Sequence, residues 1–221
     1  MRSEIRQRLD DTILSLYRQI RYPVFPVDPA AAIHRMPRCR YITYDNLARV
    51  SGVDYRTVVK ACESMDGCTQ YDPATGRYLV AVNTSPMYAA SRARIRWTTA
   101  HELGHIAAGH FLELIGNGQD SLQPSAFREM EEEADYFAAA FLAPIQALRA
   151  LHVRRPADIR DWFVLSQTAA EYRWSDLQRQ QYDERLDDLF WIFRPSSDVK
   201  EFRRRHPKGI DIQMDAVEKW L

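Results

Sequence analysis

With 221 residues, 46% of them hydrophobic, the chain is long enough to bury one core with an appendage or two small cores, and too apolar for a disordered tail. Its 30 basic and 30 acidic residues cancel, so whole-molecule electrostatics favour neither nucleic acid nor a membrane surface, and any basic face is local. No apolar run reaches the roughly 18 residues of a membrane helix, the first residues are charged where an export signal would be apolar, and Cys39, Cys62 and Cys68 lack CxxC spacing. A cytoplasmic address with no membrane attachment and reduced thiols is the expectation, with neither a disulfide framework nor a zinc ribbon.

Ile5, Leu9, Ile13, Leu16, Tyr17 and Ile20 recur at helical spacing over 4–20, and prolines at 23, 26 and 29 then break the pattern, predicting one opening helix and a turn-rich exit. Between Tyr41 and Ser64 the text reads as two short helices joined at Gly52. Thr43 or Asp45 caps the first and Asp54 the second, a helix-turn-helix outline. Thr69-Gln70-Tyr71, a turn over 72–76 and the β-branched and aromatic run 77–82 predict a hairpin. Tyr78–Val82 is then either a strand that pairs with an extended peptide or an ordinary internal strand. Helical periodicity returns from Ala89 to Leu114. A further helix is expected from about Ser125, as its cap, to Leu142, with Pro144 as its stop. The remainder, from Ala157, reads as helical with aromatic anchors. The pair Asp158–Phe163 and Gln167–Leu177 reads either as a partner-docking element or, the commoner case for such aromatics, as packing of Trp162, Phe163, Tyr172 and Trp174 into the core, and Arg203-Arg204-Arg205-His206 reads as a solvated run.

The chemistry concentrates at His101-Glu102-Leu103-Gly104-His105. On a helix the two histidines lie one turn apart on one face, so two imidazole nitrogens can converge on one tetrahedral ion, while Glu102, about 100° around, can reach a water beside it. Ile106, Ala107 and Ala108 make the helix apolar behind the pair, as a rigidly held site requires. A catalytic zinc needs a third protein ligand and one open position. His110, five residues past His105, points away from that face on an unbroken helix, and the metzincin pattern is absent. His110 therefore reads as an outer partner or as solvent-exposed. The better source is the acidic run 129–135, where Glu131 and Asp135 are four apart: Glu131 can bind a metal while Asp135 accepts a hydrogen bond from a ligand histidine. Glu129, Glu132 and Glu133 read as a solvated first turn matched to the helix dipole.

Two stretches carry a family resemblance. Arg94-Ile95-Arg96-Trp97-Thr98 leading into His101–His105, followed by Glu131-Glu132-Glu133-Ala134-Asp135-Tyr136-Phe137-Ala138 and running to Phe141-Leu142-Ala143-Pro144, resembles the ImmA/IrrE-type metallopeptidases. It is similar to their R-x-R-[FW]-T-x-x-HELGH and E-x-x-A-[ND]-x-F-A motifs, with Asp66-Gly67-Cys68-Thr69 and Val82-Asn83 as a lead-in, and covers roughly 65–145. Phe141-Leu142-Ala143-Pro144 departs from the commoner Leu-Leu-Met-Pro, a packing change that touches no ligand. The resemblance implies a gluzincin-like Zn2+ site with His101, His105 and Glu131 as ligands and Glu102 as catalyst. It also implies a metalloendopeptidase in a prokaryotic or phage setting, whose protein substrate is a transcriptional repressor. Tyr136, His110 and the arginines of 94–96 are all open as oxyanion donors.

Two rival readings stand beside it. The segment Leu47–Lys60 is similar to the reading head of lac-repressor-type regulators, and 35–60 carries six basic residues against two acids, so DNA is a possible partner. A zinc-binding scaffold that does not cleave is the other, and the intact Glu102 speaks against it. The expected fold is α+β: a mostly helical, zincin-like domain with a small antiparallel or mixed sheet. The expected division is an N-terminal helical region over 1–64, a metallopeptidase core over 65–145 and a C-terminal helical region over 146–221.

Overall fold

The computed structural model describes residues 3–19, 26–88, 90–117 and 122–179; Arg203–His206 lie outside them. Helix α1 (Ser3–Gln19) buries Leu9, Ile13, Leu16 and Tyr17 on one face, as its spacing predicts. Two elements in the stretch read as turns and loop have structure of their own. Helix α2 (Pro29–Arg35) starts on Pro29, with the Asp28 side chain accepting from the Ala30 N–H, and strand β1 runs Cys39–Thr43.

Helices α3 (Tyr44–Ser51) and α4 (Tyr55–Cys62) form the expected pair. The Thr43 hydroxyl accepts from Asn46 N–H at one N-terminus and Asp54 from Thr57 N–H at the other. Strands β2 (Gly67–Asp72) and β3 (Arg77–Val82) make the hairpin. The sheet is mixed, in the order β1-β3-β2, with β1 parallel and β2 antiparallel to β3. Because β3 is central, both its edges are occupied and Tyr78–Val82 cannot take up a peptide; the alternative of an internal strand holds. β2 is an edge strand of the sheet and contacts α5.

The pleat gives the sheet two different faces. Val80 and Val82 enter the main core with α1 and the helices that follow, whereas Ala81 packs with Tyr44, Ala48 and Val58 of the α3–α4 pair. Helix α5 (Arg92–Ala108) begins with Ser91 accepting from Arg94 N–H and ends at Gly109, whose φ of 77° supplies the left-handed turn before α6 (His110–Asn117). The single helix expected over 89–114 is thus two.

Helix α7 (Pro124–Leu142) is capped at Gln123 without a side-chain bond, so Ser125 is not the cap. The acidic run 129–135 consequently lies in the helix body, beyond the first turn. α5 and α7 are packed close enough that a Cβ on Gly104 would come within 2.9 Å of both Cα and O of Ala134. Helices α8 (Ile145–Ala150), α9 (Pro156–Phe163) and α10 (Gln167–Arg179) close the described chain. Phe163 is buried and Trp162 and Trp174 pack against the core, but Tyr172 is 72% exposed and belongs to no core. The architecture is α+β and mostly helical, the small sheet lying against the helix that carries the two histidines.

Candidate metal centre

His101, Glu102 and His105 project from the C-terminal half of α5, and the crossing helix α7 brings Glu131 and Asp135 to them. The Nε2 atoms of His101 and His105 lie 3.0 Å apart, and the Glu131 carboxylate reaches both, at 3.3 Å from His101 Nε2 and 3.5 Å from His105 Nε2. One donor atom from each of the three falls within 4.8 Å of the others. Glu132, next to Glu131, faces solvent. Two imidazole nitrogens and one carboxylate are a donor set that suits zinc, and three protein donors leave a fourth position of the tetrahedron open.

The outer ring nitrogens are engaged, which frees the inner ones. His101 Nδ1 is 2.9 Å from Asp135 Oδ1, the bond anticipated from the i,i+4 spacing of Glu131 and Asp135. His105 Nδ1 is 2.8 Å from His110 Nδ1, and His110 Nε2 is 3.0 Å from Glu133 Oε2. His110 is 2% exposed, so of its two expected placements the structure takes the outer partner. Helical geometry alone would turn it away from His105; Gly109 ends α5 and redirects the chain.

Glu133 is buried, not solvated, at 6% exposure. Its phase could have revealed it, since Met130, Ala134 and Phe137 of the same stripe are buried with it.

Electrostatics differ sharply between the two histidines. Burial, reinforced by the neighbouring rings of His101 and His110, depresses His105 to about 3, so it is neutral near pH 7, the form a ligand needs. Burial also depresses His101, but the Asp135 hydrogen bond and the carboxylates of Asp135, Glu102 and Glu131 outweigh it and the net shift is upward. Glu102 is raised above the usual carboxylate range, chiefly by burial, against a Thr69 hydrogen bond and His101 that pull it down. That bond, Thr69 Oγ1 to Glu102 Oε2 at 2.7 Å, ties the edge strand β2 to the acid. The sequence places Thr69 in the hairpin and the lead-in but gives it no role at the site: nothing in its local sequence shows which side chain of a hairpin will face a helix.

The residues named for an oxyanion role all have other partners. The Tyr136 hydroxyl donates to Asp10, Arg94 pairs with Asp66, and Arg96 is buried with Nη2 on the Phe163 carbonyl. His110 is enclosed between His105 and Glu133.

A family model described as the IrrE N-terminal-like domain, of the M78 peptidases, matches residues 64–178. That span is just over half of the chain and takes in α5, α6, α7 and every residue of the cluster. No curated protein and no solved structure gives a match.

Proposed function

We propose that this chain, which belongs to the IrrE N-terminal-like family of peptidases, is a zinc metalloendopeptidase with His101, His105 and Glu131 as ligands and Glu102 as general base. The observation that carries this is the convergence of the three donors within 4.8 Å, each histidine turned inward by a partner on its outer nitrogen. Zinc held there supplies an electrophile that polarises the scissile carbonyl and makes a water more acidic.

The remaining work falls to side chains. Thr69 holds one oxygen of Glu102, leaving the other to take the proton of the attacking water and return it to the departing amine. Burial that raises the Glu102 carboxyl strengthens it as a base. A peptide laid along the outer edge of β2 would run past Glu102 through main-chain pairing, with the Thr69 side chain marking the reacting bond. For the substrate we propose a transcriptional repressor of a prokaryotic or phage switch, cleaved in the cytoplasm, as the resemblance of the two motifs implies.

Replacing Glu102 by Gln tests the reading. The amide keeps size and hydrogen-bonding reach but cannot accept the proton, so one zinc per chain is expected to remain while cleavage of a co-expressed repressor falls by about 10²–10⁴-fold. Cleavage at the wild-type rate would remove Glu102 from the mechanism. Wild-type protein that acts on a repressor only when zinc is bound, yet cuts nothing, would make it a scaffold.

A further inference from the structure

We propose that the sheet face on which α3 and α4 pack carries, on the half they leave uncovered, a docking groove for an acidic peptide segment of a protein partner. That the partner is the substrate, held away from the reacting bond, rests on the peptidase reading. The pleat places Arg77, Leu79 and Ala81 of β3 on this face, with Arg40 of β1 opposite Leu79 on one side and Gln70 of β2 on the other. Helices α3 and α4 cover it at the Ala81 end, where Ile42 and Cys68 join their cluster. Leu79 joins neither apolar cluster although it lies in the central strand. A concavity of about 680 Å³ has it as floor, with Arg38, Arg40, Gln70, Asp72 and Arg77 around it.

The groove is basic by construction. Arg38 stands just before β1 with a φ of 64°, a left-handed backbone that few residues other than glycine adopt. Its carbonyl accepts from the Tyr78 N–H at 2.8 Å, and its Nη1 lies so close to the hairpin turn that a Cβ on Gly76 would come within 2.9 Å of it. The first arginine is thus laid over the turn that leads into the third. Asp72, the acid on the rim, is turned back into its own loop, accepting from the Ala74 N–H and the Thr75 hydroxyl, and Arg77 acts on it only at longer range. Among the described residues the three guanidiniums make no hydrogen bond and no ion pair, and all three side chains are exposed.

Arginine at all three places suits carboxylates, which its planar fork meets with two parallel hydrogen bonds. The charges are spread over two strands and a turn, and the N–H groups of the central strand are taken by its two ladders. A single phosphate would need donors converging on one point; carboxylates spaced along a chain do not. A concave face also suits an extended chain better than a duplex, which is read by an element that projects into it. The groove reaches the metal centre around one edge of the sheet. Gln70 lines it, while Thr69, the preceding residue of β2, points to the other face and donates to Glu102. Because β2 is an edge strand, a chain docked in the groove comes to Glu102 by passing round it.

The test uses the full chain, stripped of metal with a chelator, and a short fluorescein-labelled glutamate-rich peptide, with its glutamine counterpart as control. Fluorescence anisotropy at low salt is expected to show binding of the glutamate peptide alone, weakening as salt is raised. Arg38→Gln/Arg40→Gln/Arg77→Gln is expected to bind it about tenfold or more weakly. Arg49→Gln/Arg56→Gln/Lys60→Gln, which removes the same charge from α3 and α4, is expected to bind as wild type. If the groove variant does not fold, Arg40→Gln/Arg77→Gln, which keeps the Arg38 contact with the turn, is expected to show a smaller loss in the same direction.

No binding by wild type, or equal losses in the groove and helix-pair variants, would overturn the proposal. So would duplex binding that the groove variant loses and the helix-pair variant keeps, which would assign the face to nucleic acid. Self-association lost only in the groove variant would make the occupant a second copy, and would overturn it too. With no metal present, these outcomes are separate from cleavage: a chain that binds the glutamate peptide here but cuts no repressor keeps its groove and loses the peptidase reading.

Discussion

What sets Glu131 apart from the solvated acid beside it is direction. Glu131 is 62% exposed along its side chain, yet its two oxygens address both Nε2 atoms, while Glu132, one position on, is rotated about 100° around the helix into water. Glu131→Gln is therefore expected to weaken zinc binding by more than the roughly 10–100-fold typical of outer partners, with Glu132→Gln close to wild type in the same titration. The reverse ranking would move the ligand. These residues were legible in the sequence because their relations are local: His101 with His105, and Glu131 with Asp135, are each one helical turn apart. The bridge between His105 and His110 was not, because it depends on a backbone break at Gly109 that a periodic reading extends straight through.

Between elements, the decisive contact is the crossing of α5 and α7 at Gly104, which lies between the two histidines and against Ala134. Gly104→Ala would gain about 0.5–1 kcal/mol of helix propensity. Its Cβ would meet Ala134 Cα and O at 2.9 Å, backbone that cannot swing aside, and forced overpacking costs about 1–3 kcal/mol. The clash wins: a melting temperature several degrees lower is expected, with weaker zinc binding as Glu131 is pushed from the histidines, and a variant more stable than wild type would refute this.

A second link joins the start of β2 to α5, where Arg94 Nη2 donates to Asp66 Oδ2 at 2.7 Å and Tyr88 to Oδ1 at 2.7 Å. The Arg94 bond, ahead of the Tyr88 bond and against some burial, holds Asp66 below the ordinary carboxylate range. A lowered folded pKa stabilises fully above the unfolded value of about 3.9 and loses that contribution as pH falls through the folded one. In metal-stripped protein, the melting-temperature gap between wild type and Asp66→Asn is therefore expected to be largest above about pH 4 and to close below it. Arg94 is more than half exposed, so the gap is small and shrinks with salt. A gap that widened toward acid would contradict the linkage.

Helices with long periodic faces were legible at this scale, and so was the hairpin. Strand β1 was not: its five residues pair with β3 in parallel across the whole α3–α4 pair, so its partner is far away in sequence. α2 is only seven residues long and begins on one of the prolines that reads as a break.

Across the whole molecule, the sheet explains why the chain carries a helix pair resembling a DNA-reading head. Its inner face joins the core that holds α5, and that core also takes Leu9, Ile13 and Tyr17 from α1, with the Tyr17 hydroxyl on the Phe141 carbonyl at 2.6 Å. Its outer face would expose Ala81, Ile42 and Cys68 were it not covered by α3 and α4. Covering it uses the residues a reading head would present. Tyr55, near the start of the second helix, accepts from Asn83 Nδ2 at 2.6 Å and packs on Tyr44, and Val58 is 3% exposed. Arg49, Arg56 and Lys60 remain outside, three cations able to touch phosphate. Wild-type protein is therefore expected to bind random duplex DNA only weakly at low salt, with no sequence preference. Replacing the three cations should abolish that residue of binding while zinc content and melting temperature stay unchanged. Tight, sequence-selective binding that survives about 200 mM salt would reverse the argument and make the outer helix pair a reader.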